Sequence, residues 1–475
     1  MFSLNFRKTG WLARYLIFRA STPFTGPEPY LEFTGEDFGE EKFDELLYLE
    51  VKKNGMFLGC PVISRAVQNL ADELNFPKQQ GGTILLYLET LFSVALIENE
   101  NMTSNLQNAA PIPYQIRLLK IMLLALDYHL PGIYYRIPED IPLPELLIEN
   151  ETLHGALKQF EEALLDSITL SGYSSLGNRQ NNFAFSKLYF FLLWARAKVN
   201  NDKSIPETFL EMDKQLREEM IITFAALIWA DDYVDSAEQQ VIEKYIEQTR
   251  LTEAKQNKLN QRILQPVKIE DIPCSSISLI ISSYMVEQLI LLSLIDNQEA
   301  WQEKEFIEKL SLKLELTSEK LEQLYFSVAE FFSVHNERLE FLKNNAAAQQ
   351  FQDYMNDKIV KIVKKNVDNI MKEIGETKEL SELLLKATTK PLTAEEKQKV
   401  QDQLIDVAKS IPALAIFALP GGGILLPILI KVLPFNILTL TASTPYLSNK
   451  SSGSGEFPRD LLIFLPSASL IMLVK

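Results

Sequence analysis

The sequence predicts an all-α, multi-helical protein. Three observations carry that prediction. Apolar residues recur at three- and four-residue spacing in 83–97, 114–127, 183–198, 208–230, 239–250, 276–295, 303–314 and 319–333, the period of a helix with one buried face. Alternating β-branched runs bounded by turn dipeptides are scarce, so almost no sheet is expected. Two stretches also align without a gap at an offset of 65 residues, which implies two similar helical units packed on each other.

The first element is Trp11–Phe18. Trp11, Leu12, Tyr15, Leu16 and Phe18 fall largely on one helical face, with Lys8, Arg14 and Arg19 around it. Such a helix either lies on an anionic membrane surface or docks on its own domain. It reads as neither a transit peptide nor a secretory signal, because Arg14 interrupts it and no small-residue cleavage site follows. Breaks fall at 101–114, at 131–144 with Pro131, Pro138, Pro142 and Pro144, and at 172–182. Another, NNDKSIP at 200–206, is the best domain boundary. Glu89 and Glu287 interrupt the most apolar helices, which argues for helices buried in protein rather than further membrane spans.

The repeat follows. Asp231-Asp232 aligns with Asp296-Asn297, Glu238 with Glu303, and Ile242-Glu243-Lys244 with Ile307-Glu308-Lys309. Leu251-Thr252 aligns with Leu316-Thr317, Lys255 with Lys320, and Leu259 with Leu324. Each copy reads as an apolar helix, an acidic turn, an amphipathic helix, a Leu-Thr cap and a further helix. In the first copy Asp231, Asp232, Asp235 and Glu238 gather four carboxylates within eight residues. Hard cations such as calcium take several oxygens from a flexible loop. The same residues also suit plain helix capping, since acidic groups favour a helix N-terminus. The spacing is not that of a twelve-residue calcium loop. The segment FAALIWADDYVDSAEQQVIEKYI resembles the TerB family of tellurite-resistance proteins, with Ala230, Asp231, Val234 and Glu238 matching its signature. Asp232 stands where that family has glycine.

Next comes DYMNDKIVKIVKKNVDNIMKEIG. Ile359, Ile362, Val363, Val367, Ile370, Met371 and Ile374 form an apolar stripe flanked by Lys358, Lys361, Lys364, Lys365 and Lys372. Either this is a core-packing helix with a solvated basic face, or the lysines meet lipid headgroups or an RNA-rich partner. A capped helix follows, with Thr393 as N-cap and Glu396 completing the capping box. Val400, Leu404, Val407 and Ala408 line one face of it.

That helix feeds into the most apolar stretch of the chain. From Ser410 to Ile430 there are 21 residues without a charge, enough to cross a bilayer's hydrocarbon core of about 30 Å. Pro412, Pro420, Pro427 and Pro434 interrupt it, and Gly421, Gly422 and Gly423 sit in its middle. A helical hairpin broken at Pro420–Gly423 therefore competes with a straight span, and it suits a membrane face or a protein core. Gly421–Gly423 is not followed by Lys-Ser/Thr, so it is no phosphate loop. The stretch 390–438 resembles the Letm family, mitochondrial inner-membrane proteins with a ribosome-binding-like domain. The matching residues are Leu392, Thr393, Glu396, Asp406, Pro412, Pro420, Leu425, Leu426, Pro427, Lys431, Pro434 and Leu438. The tail departs from that pattern, and 439–475 reads as divergent and partly disordered, ending in the largely apolar LLIFLPSASLIMLV.

The expected division is an N-terminal helical domain over 1–200, a duplicated TerB-like domain over 205–340, a Letm-like domain over 350–438, and the tail. A net charge of −16 opposes broad contact with nucleic-acid phosphate, so DNA is not an expected partner. Cys60 and Cys274 are the only cysteines, which excludes a disulfide framework or a cysteine zinc site and fits a reducing compartment. His129, His154 and His335 form no ligand pair, and no serine sits in a nucleophile elbow. The chain thus reads as non-enzymatic, without a small-molecule substrate and without a cofactor beyond a divalent cation such as calcium. The Letm resemblance implies membrane association, here on the cytoplasmic side of the cell membrane, with ribosome binding or ion homeostasis. The alternative is a cytoplasmic scaffold that binds other proteins through the TerB-like acidic face in stress or envelope processes. Membrane contact through 411–438 predicts that the full chain stays with carbonate-washed membranes while a chain ending at Ser410 is released. Equal solubility of the two would make that segment a core element.

Overall fold

The computed structural model describes residues 10–21, 65–73, 84–92, 182–199, 206–232, 234, 236–273, 278–294, 301–335, 346–390, 392–411 and 414, with a few single positions between 44 and 161. Every regular element among them is helical, and none is a strand. In chain order the helices are α1 (Trp11–Ser21), α2 (Arg65–Glu73), α3 (84–92), α4 (Ala184–Val199), α5 (Pro206–Ile228), α6 (Ser236–Gln248) and α7 (Glu253–Ile263). Then come α8 (Leu279–Leu292), α9 (Trp301–Lys313), α10 (Ser318–His335), α11 (Ala346–Lys365), α12 (Val367–Glu376), α13 (Lys378–Thr389) and α14 (Ala394–Ser410). The chain forms two compact units, Met1–Met285 and Val286–Lys475, with the break inside α8.

In the first unit α1 is held at both ends by carboxylates distant in sequence. Its first N–H groups have no partner within the helix. Glu161 supplies one: Gly10 N–H donates to its Oε2 at 2.8 Å and Leu12 N–H to its Oε1 at 2.7 Å. Gly10 has φ +91, and a Cβ there would come within 3.2 Å of the His154 ring, so glycine is required twice over. At the other end Arg19 pairs with Glu89 at 2.9 Å, and the Tyr15 hydroxyl donates to the same carboxylate. Burial pushes the Glu89 carboxyl above its usual range, while Arg19 and Tyr15 pull it back. Trp11, Leu12, Tyr15 and Leu16 are buried. Of the two readings of this helix, the docked one is observed.

Around α4 the core is aromatic. Phe183, Phe185, Phe191 and Trp194 are buried, and the Phe185 ring lies 4.9 Å from that of Tyr284. The Tyr284 hydroxyl donates to the Asn182 carbonyl at 2.6 Å, satisfying its one polar atom in the core. Helix α5 packs on α4, α6 and α7. A buried polar chain links them: Ser186 Oγ donates to Asp213 at 2.6 Å, Arg217 pairs with Asp213, and Arg217 Nη1 donates to the Thr249 carbonyl at 2.9 Å.

The repeat read from the sequence is present in the helix boundaries. Helices α6 and α9 begin at Ser236 and Trp301 and end at Gln248 and Lys313, while α7 and α10 begin at Glu253 and Ser318. Each pair is offset by the same 65 residues. Arg250 and Glu315, also equivalent, are both left-handed, with φ 53 and 58. Leu251 and Leu316 follow them into the core, as do Ile242 with Ile307 and Leu259 with Leu324. In the second copy Leu316 N–H bonds the Ser311 carbonyl at 2.9 Å, the long bond of a Schellman ending. In the first copy a hydroxyl relays it: Leu251 N–H reaches Thr249 Oγ1 at 3.4 Å, which donates to the Ile246 carbonyl at 2.6 Å.

In the second unit Phe326 and Ala329 of α10 share one core with Met355, Ile359 and Val363 of α11, Ile370 and Ile374 of α12, and Val400 and Leu404 of α14. The capping box forms as its residues predict. Glu396 N–H donates to Thr393 Oγ1 at 3.2 Å, and Thr393 N–H donates to Glu396 Oε2 at 3.0 Å.

A left-handed non-glycine residue costs about 1–2 kcal/mol, and glycine gives back part of that gain in backbone entropy. Glu315→Gly is therefore expected to raise stability by about 0.5–1 kcal/mol. Leu316→Ala should lower it by about 2–5 kcal/mol. Urea unfolding with an unchanged slope checks both.

Candidate functional site

The cationic face is carried by α11 and α12. The apolar stripe drives its placement: Met355, Ile359, Val363, Ile370 and Ile374 are buried, and Ile362, Val367 and Met371 pack partly against the same core. The stripe is divided at Asn366, whose side chain bonds the Ile362 carbonyl at 2.8 Å. This back-bond competes with regular helical pairing and marks the junction of the two helices.

The five lysines are not equivalent. Lys358 is half-buried, pairs with Glu322 at 2.7 Å and lies 5.7 Å from the Phe326 ring centroid, so it packs α11 against α10. Lys372 is exposed, with Glu376 at 3.9 Å. Lys361, Lys364 and Lys365 are exposed and make no ion pair among the described residues. They fall on the side of α11 opposite Ile359 and Val363, at the helical period. Asp357 lies on that same outward side.

The acidic turn is built from the end of α5. Asp232 N–H donates to the Trp229 carbonyl at 3.1 Å, and Asp232 takes φ 63. Aspartate tolerates the left-handed region better than most residues, so the tight turn survives without glycine. Asp231 and Asp232 are exposed, Glu238 is buried in the first turn of α6, and Asp235 lies outside the described residues. Glu303, the counterpart of Glu238, is buried as well, at 6% exposure against 9%. Among the described residues no three candidate metal-ligating side chains come together.

Pro412, Pro420, Gly421, Gly422, Gly423, Pro427, Lys431 and Pro434 lie outside the described residues. The start of the apolar stretch does not: Ile411 and Leu414 are buried in the core of the second unit. Among the described residues no helix is long and apolar enough to cross a membrane.

Helices α13 and α14, which lead into that stretch, are joined by two carboxylate clamps. Glu379 accepts from Lys399 at 2.9 Å and from Gln403 at 2.8 Å, and Glu396 accepts from Lys386. Lys399 holds the Glu379 carboxyl below the usual range, and Lys386 does the same for Glu396, helped by the Thr393 backbone.

The sequence reading missed one feature. A recess of about 660 Å³ opens between α9, α10 and α11, with Leu316, Leu321, Tyr325, Phe351, Tyr354 and Met355 in its wall. Its signal was present in Leu312 and Tyr354, large apolar groups at solvent-facing helical positions, 69% and 52% exposed.

No protein-family model, curated protein or solved structure matches this chain.

Because the folded-state values of Glu379 and Glu396 are lowered, the clamps stabilise above the ordinary carboxylate range. That contribution is lost as pH falls through the lowered folded values. Replacing both with glutamine should lower the melting temperature at about pH 7, and the difference from wild type should shrink as pH falls through the lowered folded values. Thermal melts from neutral to acid pH check this.

Proposed function

We propose that this is a non-catalytic docking protein that uses the outer face of α11 to meet the phosphate-rich surface of a ribosome beside a membrane, on the cytoplasmic side. The observation that carries this reading is the trio Lys361, Lys364 and Lys365, exposed and without ion pairs among the described residues. In a chain of net charge −16, several cations are committed to carboxylates, as Arg19, Arg217, Lys255, Lys386 and Lys399 are, whereas these three gather on one side of a single helix. The Letm resemblance of 390–438 adds to it, through a ribosome-binding-like segment followed by the apolar run. Asp357 on the same side confines the patch to a short stripe, so affinity rests on few phosphate contacts. Ion transport has less support, because Lys431 is the one ionisable group between Ser410 and Leu438.

A second reading is a scaffold that binds other proteins through the TerB-like acidic turn. It is favoured by the exposure of Asp231 and Asp232 on a left-handed corner.

Co-sedimentation with ribosomes separates the two. The full chain should pellet at about 50 mM salt, and binding should fall with a log–log slope of roughly −2 to −3 for three phosphate contacts. Changing Lys361, Lys364 and Lys365 to glutamine should abolish it without moving the melting temperature. Failure to pellet at low salt, or pelleting by the triple variant, favours the scaffold.

A further inference from the structure

The outward side of α11 carries its charges in two blocks. Asp353 and Asp357 come first, then Lys361, Lys364 and Lys365. All five are exposed, and none makes an ion pair among the described residues. Within a single helix this order is unfavourable. Asp353 and Asp357 stand four residues apart, as do Lys361 and Lys365, and like charges at that spacing repel. The helix dipole offsets little of this, because its effect fades beyond the first and last turns. Helix α11 runs from Ala346 to Lys365, so of the five only Lys364 and Lys365 fall in a terminal turn. Asp357 and Lys361 have the attractive spacing, yet they are not drawn together into a pair.

A second α11 laid antiparallel on this face resolves the pattern. The helical period puts Asp357 and Lys361 nearest the outermost line, with Asp353 and Lys364 together on one flank. A two-fold axis level with Ile359 then sets Asp357 against Lys361 of the second copy, and Asp353 against Lys364 of the second copy. Each contact occurs twice, as an interface between identical surfaces requires. Sliding one copy by a turn sets Lys361 against Lys361, or Asp357 against Asp357. A parallel arrangement sets every charge against its own copy. Charge therefore selects both the orientation and the register, as flanking charges do in coiled coils. An anionic partner answers the lysines alone, and a cationic one the aspartates alone. A second copy of this chain answers both.

We propose that α11 pairs antiparallel with α11 of a second copy, forming a symmetric, salt-sensitive dimer. The contact consists of exposed ion pairs, so the association is weak. Pairing covers Lys361 and Lys364, and a paired chain cannot offer them to phosphate. The pairing itself does not depend on ribosome binding.

Analytical ultracentrifugation of the full chain, without RNA, is the test. The wild type should self-associate with rising concentration at about 50 mM salt and dissociate at about 500 mM. Asp353→Lys with Asp357→Lys makes the face basic throughout, and Lys361→Glu with Lys364→Glu makes it mainly acidic. Each variant alone should remain monomeric, and thermal melts confirm that both fold. An equimolar mixture of the two should form a heterodimer, because every contact is then again between opposite charges. A wild type that stays monomeric at low salt overturns the proposal. So does a folded variant that self-associates as well as wild type, or a mixture that stays monomeric. None of these outcomes bears on ribosome pelleting, so the two readings fail separately.

Discussion

A left-handed residue at the end of one helix, followed by a leucine that must be buried, sets the path of the chain through the middle of this protein. Arg250 and Glu315 carry the turn, and Leu251 and Leu316 enter the core behind it. The corner forces a new helix to begin within a few residues, so α7 and α10 start at equivalent positions. Neither corner uses glycine, and each therefore carries a backbone cost that its surroundings must exceed. The two do so differently. The second relies on a direct backbone bond to Ser311. The first relies on the Thr249 hydroxyl, while Arg217 holds the Thr249 carbonyl from α5. Removing one member of a buried charged network leaves its partner uncompensated, which is why such networks tolerate truncation poorly.

Carboxylates, one buried and one half-buried, fix a helix elsewhere in the first unit. Glu161 satisfies the opening N–H groups of α1, and Glu89 anchors Tyr15 and Arg19 from the same helix. Each lies outside the element it secures, so α1 is stabilised by tertiary contact and not by its own propensity. In the second unit the corresponding task falls to two clamps nearer the solvent, the exposed Glu379 and the half-buried Glu396, which join α13 to α14 through lysines. The two arrangements differ physically. A buried carboxylate is costly to leave unpaired, whereas an exposed clamp is screened by water and contributes modestly.

The candidate surfaces arise as by-products of the same packing. Once Ile359 and Val363 turn inward, Lys361, Lys364 and Lys365 have no place except solvent. Lys358 sits at the margin between the two faces and is drawn into the fold by Glu322 and Phe326. The recess exists because α9, α10 and α11 do not fill the space between them. Ile411 and Leu414 pack into the core before the long apolar run has properly begun. The start of that run therefore belongs to the helical unit.

Local physics determined much of this protein from sequence alone. The helical period, the 65-residue repeat and the Thr393–Glu396 capping box rest on contacts within about four residues or on direct comparison of two segments, and each is present in the fold. The division of the basic stripe at Asn366 was not legible, because an asparagine back-bond competes with an otherwise continuous periodic pattern. Equivalence among the five lysines also dissolved, since the Glu322 that claims Lys358 lies in another helix. Only the tertiary structure decided that α1 docks on its own unit, because its partners Glu89 and Glu161 lie far along the chain and no periodicity links them. The recess belongs to the same class. Its walls come from three helices, and a void is a property of how helices meet, which no single helix's sequence encodes.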